Sequence, residues 1–254
     1  RHGVDYAYNL DDFDLDKYYQ RYTETLLAVD ENVGRIYECL QNDDLLENTI
    51  VIYMGDNGFH FGEHGIIDKR TAYNVSIKVP LLIRYPKWFE PGLVIDKTVA
   101  NIDIAPTLLN AADVEIPASM DGMSFLPLLK GTNDPWRENL LYEYYWEHNY
   151  PYTPATFAIL TDRYKYIRYY GIWDIDELYD TGSDPEELDN LIFDTAYHDI
   201  ADSLKNELTE ILKKTGGNQI PLLEERGVRF PWRKKEAAGQ AAFPEYFYHK
   251  PAGQ

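Results

Sequence analysis

Cysteine is nearly absent from this chain. Its 254 residues hold one, Cys39, which rules out a disulfide within the chain and leaves the redox compartment open. Cations are scarce as well: 24 Lys and Arg stand against 43 Asp and Glu, a formal net charge of −19. Phosphate backbones call for clustered Lys and Arg, so this balance argues against nucleic acid as a partner. No apolar run approaches the roughly 20 residues of a membrane-spanning helix. No signal peptide opens the chain either, although a segment missing before Arg1 would make that absence uninformative. Internal repeats and low-complexity stretches are also lacking. Apolar and aromatic residues, by contrast, are plentiful at 44% and 15%, enough for one or two cores.

The apolar residues carry the organisation. An acidic, tyrosine-rich lead-in runs to about Asp14. From Asp16 onward, Tyr18, Tyr22, Leu26, Val29, Val33, Ile36 and Leu40 recur at three- and four-residue spacing, which predicts a long amphipathic helix with its stripe packed in a core. Cys39 lies on that helix as a small apolar residue. A polar loop through residues 42–44 leads to a β-branched run at residues 49–54, read as a buried strand, and a second buried strand is predicted at residues 79–84, ended by Pro86 and Pro91. Residues 103–111 read as a short helix with Pro106 near its first turn. Beyond residue 135 the pattern changes. Residues 140–146, 157–160 and 164–170 are aromatic and β-branched between turn residues, predicting antiparallel strands. Leu204, Leu208, Ile211 and Leu212 mark a helix over residues 200–212, stopped by Gly216 and Gly217. From Ile220 onward Arg226, Arg229, Arg233, Lys234 and Lys235 form a basic patch, expected to dock on the chain's own acidic surface.

The run at residues 49–54 ends abruptly in Asp56, Asn57 and Gly58. In an open α/β sheet ligands gather at the carboxyl ends of strands, so a carboxylate beside an amide oxygen there is placed to hold a cation. Asp-Asn-Gly is equally good turn chemistry. The next dozen residues bring His60, Glu63, His64, Lys69 and Arg70, interleaved with Gly58, Gly62 and Gly65. Glycines let groups crowd around a small ligand, and a lysine ammonium suits an anionic oxygen.

Residues 55–58 (GDNG), 62–65 (GEHG), 68–73 (DKRTAY) and 79–83 (VPLLI), in this order and spacing, resemble the calcium-binding second half of the type I, formylglycine-dependent sulfatases of the alkaline phosphatase superfamily. Residues 22–40, 101–109, 120–129, 163–169, 177–180 and 184–191 extend the resemblance to about Leu212. It implies an α/β fold. Residues 1–135 would form the C-terminal part of an alkaline-phosphatase-like sandwich, and residues 136–254 a small α+β subdomain with an antiparallel sheet, a packed helix and the basic tail. It also implies Ca²⁺ held by Asp56 and Asn57, and Lys69 on a sulfate oxygen or the departing ester oxygen. His60 and His64 would position the sulfate or donate a proton, unless they are hydrogen-bonded structural residues. Trp146 and His148 would stack on and hydrogen-bond a sulfated sugar, with cross-strand aromatic pairing as the plainer alternative. The family commonly has Tyr-Glu after the lysine; this chain has Tyr73-Asn74.

One family feature is missing. The C/S-x-P/A-x-R motif that yields formylglycine does not occur: Cys39 has Asp43 four residues on, and none of Ser76, Ser119, Ser124, Ser183 and Ser203 has the arginine. Asp11 and Asp12 read as acids near a helix start, not as the family's metal-binding pair, and His2 is not assigned the family's proton-donor role. The expectation is therefore a C-terminal portion of a carbohydrate sulfatase, with formylglycine only on a missing N-terminal half that would be its partner. Such a portion would be inactive alone, weak in calcium binding, and would carry a large exposed apolar face. Localisation is open; the family implies periplasmic, secreted or lysosomal. Two alternatives stand beside this reading: a phosphonate monoester hydrolase or phosphodiesterase of the same superfamily, and a non-catalytic metal- or glycan-binding remnant.

Overall fold

The computed structural model describes residues 14–132, 134–145, 153–170 and 175–217. The first helix, α1, spans Leu15–Asn42, and Asp14 caps it by accepting from the Lys17 backbone N–H at 2.9 Å, with Asp16 in the first turn. The predicted stripe is present, yet no residue of α1 is buried. Leu27 is 74% exposed and Ile36 57%. Only the N-terminal turns are packed, where Tyr18, Tyr19 and Tyr22 ring Phe61 at centroid distances of 5.7, 5.1 and 4.8 Å. The expectation of a core-packed stripe is corrected: the period is helical, but among the described residues nothing covers most of it.

Strands β1 (Val51–Met54) and β2 (Leu81–Arg84) pair antiparallel, with Val51 opposite Arg84 and Met54 opposite Leu81. Both are half-buried rather than buried as expected, with Leu82 64% exposed. After α2 (Asn74–Ile77) and β2 the chain forms α3 (Ile104–Ala111) and α4 (Leu126–Leu129). Asp103, wholly buried before α3, accepts from the backbone N–H groups of Ala100 and Met123, each at 2.8 Å, and pairs with Arg137. This carboxylate ties α3 to a small core of Phe125, Leu126 and Leu129.

Strands β3 (Asn139–Tyr144), β4 (Thr156–Thr161), β5 (Tyr164–Tyr169) and β6 (Glu177–Asp180) make an antiparallel meander in that order. Three of them follow the predicted runs; β6 is too short to show a period. Successive side chains alternate faces. Phe157, Ile159, Tyr166 and Leu178 meet Ala201, Leu204, Leu208 and Leu212 of α5 (His198–Thr215), which ends at Gly216 with φ +78°. Ala158, Ile167, Tyr169 and Tyr179 face the other way, onto Ile66, Ile67, Ala72 and Tyr73. The glycine-rich loop thus forms the third layer of the C-terminal unit, and its packing crosses the expected boundary near residue 135.

Candidate functional site

At the end of β1 the chain turns sharply. Asp56, exposed, accepts from the Asn57 backbone N–H at 2.8 Å. The Asn57 amide group donates to the Gly58 carbonyl at 2.8 Å, which leaves its Oδ1 to accept from Lys69 Nζ at 3.1 Å. Gly58 is required by contact: its N–H donates to the Ser76 carbonyl at 2.7 Å, and a Cβ there would lie 2.0 Å from the Val75 carbonyl oxygen. Ser76, buried on α2, donates its hydroxyl to the Lys69 carbonyl. β1, α2 and the loop therefore bring Asp56, Asn57 and Lys69 to one place, with the lysine exposed.

The two histidines differ. His60 is wholly buried, with Nδ1 3.1 Å from the Glu63 carbonyl and Nε2 2.7 Å from Thr71 Oγ1. Burial pushes its pKa down to about 4, so the ring is neutral near pH 7. Its backbone N–H donates to the Asp68 carbonyl at 2.8 Å, and Asp68 in turn accepts from Arg70 at 2.6 Å. Both ring nitrogens are used in bracing the loop, which is the structural alternative raised for this residue. His64 is half-buried, has φ +56°, and stacks on Tyr73 with centroids 4.0 Å apart and planes 8° from parallel. Its side chain makes no hydrogen bond among the described residues. Trp146, His148 and the basic patch lie outside the described residues.

Two groups went unnoticed in the sequence. Lys165, 1% exposed near the start of β5, donates to the Ala72 carbonyl and to Asn74 Oδ1, each at 2.8 Å, and pairs with buried Glu187. Glu187 also accepts from the Asn74 N–H at 2.5 Å, so a carboxylate from the C-terminal unit reaches the loop at Asn74, the position that lacks the family's glutamate. A lysine on the same strand face as Ile167 and Tyr169 was the available signal. The second group is Glu177 on β6, which accepts from Tyr73 at 2.8 Å, Tyr179 at 3.0 Å and Tyr169 at 3.1 Å. Burial, reinforced by the Glu177 carboxylate, raises all three phenols well above their ordinary pKa of 10.0.

For a divalent cation the chain offers the carboxylate of Asp56 and the amide oxygen of Asn57, hard oxygen donors suited to calcium. The described residues contain no group of three or more His, Cys, Asp or Glu placed to hold a metal. These donors fit part of a calcium shell.

The family model described as Sulfatase matches residues 3–114, and that described as N-sulphoglucosamine sulphohydrolase, C-terminal, matches residues 62–214. The chain belongs to the sulfatase family. The two models overlap over residues 62–114, which include Ile66, Ile67, Ala72 and Tyr73 of the loop that packs on the C-terminal sheet. The N-acetylglucosamine-6-O-sulfatase of Bacteroides thetaiotaomicron is 37% identical over 205 residues, 78% of this chain and 36% of that protein. A solved structure of BT4656 in complex with its substrate D-glucosamine-2-N,6-O-disulfate superposes with TM-score 0.70 at 36% identity, over 77% of this chain and 40% of the other. The phosphonate monoester hydrolase of Agrobacterium radiobacter superposes with TM-score 0.65 at 25% identity, over 73% and 39%. This sulfatase-family chain therefore spans about two fifths or less of the length of these proteins.

Proposed function

We propose that this chain supplies the C-terminal part of a carbohydrate sulfatase, acting on a 6-O-sulfated amino sugar. The carrying observation is the Lys69 ammonium 3.1 Å from Asn57 Oδ1, beside the exposed Asp56 carboxylate at the tip of β1. The names of the relatives support the choice of sugar, which Trp146 and His148 would contact. Asp56 and Asn57 would hold Ca²⁺ together with oxygens from the N-terminal half. Bound there, calcium would neutralise charge building on the sulfate oxygens. Lys69 would move from the Asn57 oxygen to a sulfate or departing ester oxygen, a compact charge on a flexible stem. His64, whose ring makes no hydrogen bond among the described residues, would contact the sulfate or give a proton to the leaving alcohol. His60 would keep the loop in shape. The C/S-x-P/A-x-R nucleophile would come from the N-terminal half, whose apolar surface would cover the exposed residues of α1.

Assay of the complete protein against glucosamine 6-O-sulfate, a 2-O-sulfated sugar and a phosphonate monoester tests the proposal. Preferential release of 6-O-sulfate is expected. Faster turnover of the phosphonate would favour the second reading, a phosphonate monoester hydrolase, for which the likeness to the Agrobacterium enzyme speaks. Calorimetric titration of the isolated chain is expected to give weak calcium binding, since two oxygens meet only a fraction of the about six to eight that calcium takes. Tight stoichiometric binding would overturn that division of ligands.

A further inference from the structure

The backbone at His64 is left-handed, a conformation uncommon for a residue with a Cβ, and the side chain has no hydrogen bond among the described residues to fix its ring. What fixes the ring is a face. The Tyr73 ring lies parallel to it at 4.0 Å, while His60 meets it edge-on at 5.7 Å. Tyr73 is 6% exposed, and its hydroxyl ends on Glu177, 104 positions further along the chain. That carboxylate takes three phenols at once, from the loop, from β5 and from its own strand. Such a hub gathers rings from three segments on one acceptor, and it is anchored in the C-terminal sheet rather than in the loop.

We propose that Glu177 is a positioning residue, acting through the Tyr73 hydroxyl to set the plane of the His64 ring in the sulfate pocket. A carboxylate in the C-terminal sheet thereby orients a side chain on the loop without touching substrate. The phenols remain protonated donors through the physiological range, so none of the three bonds is lost there by deprotonation.

Because the place of His64 in a sulfate pocket is itself proposed above, the test is made on the chain alone and without substrate. A histidine ring stacked on a tyrosine has its carbon-bound protons displaced upfield by the ring current, a signature that stability alone does not move. The His64 signals, assigned among the six histidines with a His64→Gln variant, are expected upfield of those of exposed His198 in the native chain. Glu177→Leu is expected to abolish the displacement, and Tyr73→Phe to diminish it, since the ring stays but loses its tether. Glu177→Gln, which keeps one acceptor, is expected to retain part of it. Should Glu177→Leu fail to fold, Tyr73→Phe and Glu177→Gln decide the matter, with circular dichroism confirming that each is folded. Unshifted His64 signals in the native chain, or signals unchanged in folded Tyr73→Phe and Glu177→Gln, would overturn the proposal. Neither result bears on which ester the complete protein cleaves.

Discussion

Helices α1 and α5 are written in the same alphabet, with apolar residues every three or four positions and charges between, yet they end in opposite surroundings. The 18 residues of α5 bury Ala201, Leu204, Leu208 and Leu212 against β4, β5 and β6; the 28 residues of α1 bury none. An amphipathic stripe states that a helix needs a partner and says nothing about where that partner is. The covered helix belongs to a unit whose three layers are all present, whereas among the described residues the exposed one touches that unit through its N-terminal end, where Leu15 and Tyr18 pack beside Phe59.

The largest break in that contrast is expected from Lys165→Met. It strands Glu187 in the interior and cuts the bonds to Ala72 and Asn74, and losing one partner of a buried pair costs about 3–5 kcal/mol. Urea denaturation would register it as a fall in midpoint, and adding Glu187→Met should restore part of the loss. Leu208→Ala, at a side chain 1% exposed, should cost about 2–5 kcal/mol by the same measurement.

His60 adds a pH-dependent effect on the loop side of the sheet. Its folded pKa of about 4 lies below the ordinary 6.5, so on acidification the unfolded chain takes up the proton first. The stability this burial confers is complete above about pH 6.5 and is lost as pH falls toward 4, by up to about 3 kcal/mol at roughly 1.4 kcal/mol per pH unit. Melting curves from pH 7 to 4 should therefore fall less steeply for His60→Gln than for the native chain; equal slopes would show that His60 charges freely in the fold. The smallest effect sharpens the comparison from its other side. Leu27→Ala on α1, at 74% exposure, should change stability by no more than about 0.5 kcal/mol, unlike Leu208→Ala. A loss near that of Leu208→Ala would mean that something does cover this face.

Much of the architecture was legible because its signals are local. Spacing located α1, α3 and α5, and β-branched and aromatic runs located β1 to β5. What spacing does not encode is which faces meet. The α1 stripe was expected in a core because periodicity carries no information about the presence of the opposing layer. β6 escaped because its four residues, Glu177–Asp180, hold two acids and no β-branched residue, and its pairing with β5 is set by contacts in three dimensions. The same holds at the site. Asp56, Asn57 and Lys69 stood out as residue types in a compact motif, and the two histidines did as well, but only the three-dimensional structure separates His60, sealed and doubly hydrogen-bonded, from His64, held by ring stacking. Glu177 and Glu187 lie more than 100 positions from the loop residues they hold, beyond the reach of any local pattern.

The apolar and ionic seam between the glycine-rich loop and the meander bears on how such a chain can be rearranged. A chimera joined at residue 135, where composition changes, would ask a foreign sheet to receive Ile66, Ile67 and Tyr73 and to provide its own counterparts of Lys165, Glu177 and Glu187. A junction ahead of residue 56 would carry loop and sheet together as a matched pair, leaving the pairing of β1 with β2 and the packing of Tyr18 on Phe59 and Phe61 to be aligned.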